Sequence, residues 1–219
     1  MISLRALPAI VVTPFRLDRD AVSRGAFLAF VQAHPQWRRS VVKPAHGARD
    51  GYLADWRGDL DAGLATERSR PVTSVSWFAA QAFCVAQGKR LPTVAEWEYA
   101  AAASATMRDA TRDPAFIQEV LTLYANRPSS LPPVGTGRRN VFGVRGLHGV
   151  VWEWAADFDG APVRHEPHHA AARDHDQSCA SAAMGADNTS NYPAFLRHAV
   201  RSGLTAHSTM GSLGFRCAA

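Results

Sequence analysis

Three cysteines and nine histidines hold most of the chemistry this sequence could perform. Cys179 follows a stretch with His165, His168, His169 and His175, and His198 and His207 come later. A thiolate with imidazoles suits copper or iron. Cys179, His175, His198 and His207 are therefore the candidate metal ligands, and Cys179 is the candidate catalytic residue. The pattern is a composition, not a fixed ligand spacing. His168 and His169 are adjacent, so their side chains diverge in an extended chain. The alternative is a small buried Cys179 beside solvated loop histidines. No two cysteines form a CxxC, so a structural zinc site is not expected. The odd count leaves at least one thiol unpaired within the chain. No glycine-rich phosphate loop, Ser-His-Asp pattern or paired-carboxylate motif stands out.

The elements that must position these residues follow from caps and periodicity. Residues 11–17 read as a short strand, with a turn at Asp18. Phe27, Phe30 and Val31 share one face of a helix over Ser23–Val31, with Ser23 as its N-cap and Pro35 beyond its end. Residues 36–70 read as an irregular packed loop anchored by Trp37, Tyr52, Leu53 and Trp56, and long loops often mark binding regions. Ser76 caps a second helix through Trp77, Ala80, Phe83 and Cys84, which Gly88 ends. Thr93 and Glu96 form a capping box opening a third helix, through Trp97 and Tyr99 to Ala103. Asp113–Tyr124 is a further helix candidate. Strands are predicted at Val150–Trp154, Ala199–Ser202 and Leu213–Cys217, and residues 157–179 read as loop. The large side chains of Trp77, Trp97, Trp152 and Trp154 are expected in the core.

The formal charge is +5, and Lys43 and Lys89 are the only lysines beside the arginines. There is no long basic run and no aromatic-basic stripe, so the charge reads as a solvated surface and nucleic-acid binding is not expected. No apolar run approaches the roughly 18 residues that cross a bilayer. Residues 1–12 lack the charged end, long apolar segment and small-residue cleavage site of a clear signal peptide. An aromatic fraction of 9% speaks for a folded chain, and the length suits one domain, 1–219.

Three ordered blocks carry a resemblance. The first is Pro71–Trp77, then Ala82–Cys84 and Gly88–Ala100; the second is Asn140–Gly143 and Leu147–Trp154; the third is Arg201–Ser202 and Leu213–Cys217. Together they resemble the formylglycine-generating-enzyme (sulfatase-modifying factor) family from about Phe15 to Cys217. The resemblance implies an α+β, C-type-lectin-like fold with two main helices, a small antiparallel sheet and long ordered loops. It implies a Cys84–Cys217 disulfide, and so an oxidising, periplasmic or otherwise exported setting. The residues alone also allow two buried, reduced thiols. By the same resemblance Glu153, with the carbonyls of Gly149 and Val151, would hold a structural calcium. Gly146 replaces the family's Asn or Asp and weakens that site. Alternatively, Glu153 pairs with an arginine or caps backbone donors.

Oxidising members of that family bind Cu(I) through two cysteines five residues apart. Counting back from Arg201–Ser202, these positions fall at Asn188 and Pro193, which supply no thiolate. His198 lies near a position of a second family disulfide, also missing here. Two functions are open. One is an exported accessory or maturation protein, a metal-dependent oxidoreductase through Cys179 and histidines, linked to a periplasmic metalloenzyme. The other is a non-catalytic lectin-like module that binds a protein or peptide through its loops.

Overall fold

A computed structural model of the chain describes residues 11–47, 51–158 and 192–219. Its centre is the C-terminal segment. Leu213, Phe215 and Cys217 are fully buried. Strand β2 (Leu213–Gly214) pairs in parallel with β1 (Trp152–Glu153), Trp152 opposite Leu213. Beyond β2 the backbone continues as a ladder with the start of the described chain. Asp18 donates its N–H to the Cys217 carbonyl at 2.9 Å, and Arg16 and Ala219 exchange two bonds of 2.8 Å. Arg90 and Ala218 exchange a second pair. A segment with such neighbours on both sides cannot fray as chain ends usually do.

Five α-helices surround this centre among the described residues: α1 (Arg24–Ala33), α2 (Trp77–Ala86), α3 (Val94–Ala101), α4 (Pro114–Ala125) and α5 (Tyr192–Ser202). The caps are those the sequence specifies. Ser23 and Ser76 accept from the N–H groups of Ala26 and Ala79 at 3.2 Å. Thr93 and Glu96 close a reciprocal box, with bonds of 3.2 and 2.8 Å. Gly88, at φ 66°, ends the α2 region in the left-handed conformation.

The core forms where α1 and α2 cross the C-terminal segment. Phe27 stacks on Phe83 at 5.8 Å, and Phe83 meets Phe215 edge-on at 5.4 Å. Burying each such ring contributes roughly 2–3 kcal/mol. Two glycines are required by close approach. A Cβ on Gly214 would lie 2.7 Å from the Val72 carbonyl, and one on Gly149 would lie 2.7 Å from the Leu123 Cβ.

Five expectations are corrected. Residues 199–202 are not a strand; they complete α5, whose buried face is Pro193, Arg197 and Arg201. That face is largely charged, so no apolar periodicity reveals it. The β1–β2 pair is parallel, and among the described residues antiparallel pairing occurs only as isolated bridges such as Leu17 with Ala218. The segment 11–17 contributes that single bridge rather than a strand. There are also more than two main helices. Trp97 and Trp154 are buried, but Trp77 and Trp152 are half-exposed.

Cys84 of α2 is bonded to Cys217, closing a loop of 133 residues. In the chain-entropy description such a loop removes about 5 kcal/mol of unfolded-state freedom. Both residues are fully buried, so a reductant reaches the bond only through opening of the core. Non-reducing peptide mapping is expected to recover Cys84 and Cys217 in one linked fragment. A Cys84→Ala/Cys217→Ala variant is expected to melt well below the parent. Recovery of both as free thiols under oxidising conditions would contradict the bond.

Candidate functional site

The helical period of α5 puts Pro193, Arg197 and Arg201 on one face, since residues four apart neighbour each other. Pro193, which the resemblance places at a copper-thiolate position, lines a cavity of about 130 Å³. Glu98, His148, Arg197 and Phe116 line it as well. The position is therefore at the wall of a real cavity, but a proline ring offers no metal donor. Asn188, the other aligned position, lies outside the described residues, as do Cys179 and His175.

The polar wall of the cavity is one connected network. Glu98 of α3 receives three bonds from Arg197 at 2.5–3.0 Å and one from Arg201 at 2.6 Å. Both guanidiniums also lie over the Trp97 ring, at 5.5 and 4.9 Å. Arg197 donates to the Tyr124 hydroxyl oxygen at 3.2 Å. Tyr124 and His148 Nδ1 are 3.1 Å apart, and His148 Nε2 is 3.0 Å from the Ala101 carbonyl. A carbonyl only accepts, so Nε2 carries the proton. Nδ1 must then accept from the Tyr124 hydroxyl. The chain runs Arg197 to Tyr124 to His148 to Ala101, and the imidazole keeps no free lone pair for a substrate proton.

Charge states follow from this wiring. Burial pushes the Glu98 carboxyl up, but Arg197 and Arg201 outweigh it and hold it at about 2. Burial, reinforced by the Arg197 charge, lowers His148 to about 4. Burial raises the Tyr124 phenol. Near neutral pH the cavity wall thus carries an ionised Glu98, neutral His148 and Tyr124, and two guanidiniums.

Glu153 occupies a second, deeper centre. Arg216 binds its two oxygens at 2.7 and 2.8 Å, and the Trp97 indole N–H donates at 2.7 Å. Both charged side chains are fully buried. The oxygens that a calcium ion would use are thus engaged by a guanidinium and an indole, and a cation there would face the Arg216 charge. Gly149 and Val151 are buried beside this centre, with Gly149 packed under α4. The residues as placed do not fit a calcium ion.

His198 sits on α5, half-buried. His207 lies beyond that helix, packed at 5.1 Å from the Phe78 ring and 3.1 Å from the Ala45 carbonyl. Among the described residues no group of three or more His, Cys, Asp and Glu side chains is placed to hold a metal. Sequence reading missed Glu98, Tyr124, His148 and Arg197. The available signal was Arg197 and Arg201 four apart, which on a helix demands a common acidic partner.

The His148 wiring fixes a pH dependence. Its folded pKa, about 4, lies below the ordinary imidazole value near 6.5. Between these values the unfolded chain binds the extra proton and the folded one does not. Stability is therefore expected to fall as pH drops from about 6.5 towards 4. His148→Asn, which does not titrate, is expected to flatten this part of a urea-midpoint against pH curve. The loss tied to Glu98 begins lower, below its ordinary value of 4.5, and continues to about 2.

Comparison with known proteins accords with this architecture. The chain is 30% identical to the formylglycine-generating enzyme of Streptomyces coelicolor, over 94% of this chain and 78% of that protein. It is 29% identical to the formylglycine-generating enzyme of Mus musculus, over 76% of this chain. It is 30% identical to the inactive C-alpha-formylglycine-generating enzyme 2 of Bos taurus, over 72% of this chain. The chain spans only about half the length of those two mammalian proteins, 49% and 52%. A family model described as the sulfatase-modifying factor enzyme 1-like domain matches residues 5–219. With its disulfide, its capped α2–α3 corner and a match over nearly its whole length, the chain belongs to the sulfatase-modifying factor enzyme 1-like family.

Proposed function

We propose that this chain is an exported accessory member of its family, which recognises a protein or peptide and does not perform two-thiolate copper oxidation. One observation carries the reading. Cys84 and Cys217 are joined in the core, so Cys179 is the single cysteine left of three. A Cu(I) site built from two thiolates of one chain then lacks a ligand. Pro193 at the cavity wall agrees with this.

What the cavity residues can do is bind and orient. The His148 lone pair is committed to the Tyr124 hydroxyl and burial keeps that phenol protonated, so neither serves as a free general base. Export is supported by the disulfide, because such bonds persist in oxidising compartments. The C-type-lectin-like arrangement expected of the family would present long loops to a partner. A periplasmic metalloenzyme is the partner class that the sequence resemblance suggests. A relative named as inactive supports a role in this family without that oxidation.

The full chain, incubated with a Cys-x-Pro-x-Arg peptide, copper and oxygen, is expected to leave the peptide thiol intact by mass spectrometry. Sustained conversion to the aldehyde would overturn the reading. Elemental analysis after gentle purification separates the competing function. Stoichiometric copper or iron that disappears in Cys179→Ser would replace this reading with a metal-dependent oxidoreductase.

A further inference from the structure

Arg127 follows the C-terminus of α4, and its guanidinium carbon lies 4.0 Å from the centre of the Trp152 ring. The Tyr124 ring is 5.9 Å away. Its Nη2 is buried and has no hydrogen-bond partner. The ring face attracts the cation but offers no lone pair in place of water. Among the described residues no carboxylate pairs with Arg127. A buried donor without a partner costs about 1–3 kcal/mol, so such a group calls for an acceptor.

The surroundings do not supply one. Tyr124 links this spot to the cavity network, and its hydroxyl oxygen already accepts from Arg197. Glu98, the acid nearby, is held by Arg197 and Arg201. Beside the closed Arg216–Glu153 pair at the Trp97 edge, the patch around Tyr124, Trp97 and Trp152 therefore sets the guanidiniums of Arg127, Arg197 and Arg201 against the one carboxylate of Glu98. Burial lowers the Arg127 pKa, opposed only by the Tyr124 phenol, and no carboxylate contributes. The guanidinium stays charged nonetheless, because its ordinary pKa lies so far above neutrality.

We propose that Arg127, stacked on Trp152, anchors an anion site that takes a carboxylate from an acidic segment of a peptide or protein partner. The planar fork of a guanidinium matches a carboxylate, which can accept from two N–H groups at once. Trp152 holds the fork in place, so little side-chain freedom is lost on binding. Arg127 and Trp152 are both half-exposed, so the stack borders solvent although Nη2 itself is covered. The inference rests on the peptide-binding reading and narrows it to acidic partners.

Calorimetric titration of the full chain at low salt tests it, with acetyl-Glu-Glu-Glu-amide as the probe. Acetyl-Gln-Gln-Gln-amide and inorganic phosphate are the comparison ligands. The glutamate peptide is expected to bind and the glutamine peptide to bind far more weakly. Arg127→Gln is expected to weaken the glutamate peptide about tenfold, and Arg127→Lys to fall between. Arg138→Gln, which removes an exposed charge elsewhere, is expected to change affinity no more than about twofold. An unchanged melting temperature in Arg127→Gln would tie the loss to the site; if that variant is unstable, Arg127→Lys carries the test. No binding of the glutamate peptide, or equal losses in the Arg127 and Arg138 variants, would overturn the site. Tighter binding of phosphate than of the peptide would overturn the carboxylate assignment. Equal binding of both peptides, insensitive to Arg127, would overturn the anion site while leaving the peptide-binding reading in place.

Discussion

The ion pair between Arg216 and Glu153 joins segments far apart in the sequence of the described fold. Arg216 has five N–H groups, and all five are used. Two bind Glu153, two bind the carbonyls of Asp18 and Arg19, and one binds the carbonyl of Arg145. Glu153 lies on β1 and also accepts from Trp97 of α3. One side chain thus links the C-terminal segment, the chain's beginning, the loop before β1 and, through Glu153, a helix. Burying two charges is costly, and only such complete satisfaction offsets it. Removing either partner would strand the other charge in a dry interior, at a cost of about 3–5 kcal/mol. The same completeness explains why Glu153 is unsuited to hold a cation here.

The neighbouring network around Glu98 is built differently. Its acid is shared between two guanidiniums, and Arg127 has no acid at all among the described residues. The first centre is closed and neutral as a unit; the second carries excess positive charge and touches a cavity and the surface. Structural cores favour the first arrangement, because unbalanced buried charge opposes folding. Retained imbalance beside exposed aromatic rings suits recognition. The two centres share Trp97, which donates to Glu153 through its edge while Arg197 and Arg201 lie over its face.

The disulfide accounts for two of the three cysteines of this chain. Once Cys84 and Cys217 are committed to the core, the remaining thiol count cannot form a two-thiolate site within the chain. Arg197 of α5, the helix that holds Pro193, instead ties Glu98 to the Tyr124–His148 pair. The inward face of that helix serves ion pairing.

Local order was legible in the sequence wherever the signal was local. Ser23, Ser76, Thr93 with Glu96, and Asp113 each mark a helix start, because a cap depends only on residues within one turn. The Cys84–Cys217 pairing and the family were legible from ordered blocks of residues. The charged face of α5 was not, since Arg197 and Arg201 are buried only because Glu98, about a hundred positions earlier, meets them. The parallel register of β1 with β2 was equally hidden, because two-residue strands carry no periodicity. Nor could the sequence choose between a cation and Arg216 as the partner of Glu153. Sequence alone fixed the caps, the family and the shortage of thiolates. Tertiary structure decided which charges are paired and which buried N–H groups stay without an acceptor. Coulombic pairing depends on distance in space and on exclusion of water, and neither is written into neighbouring residues.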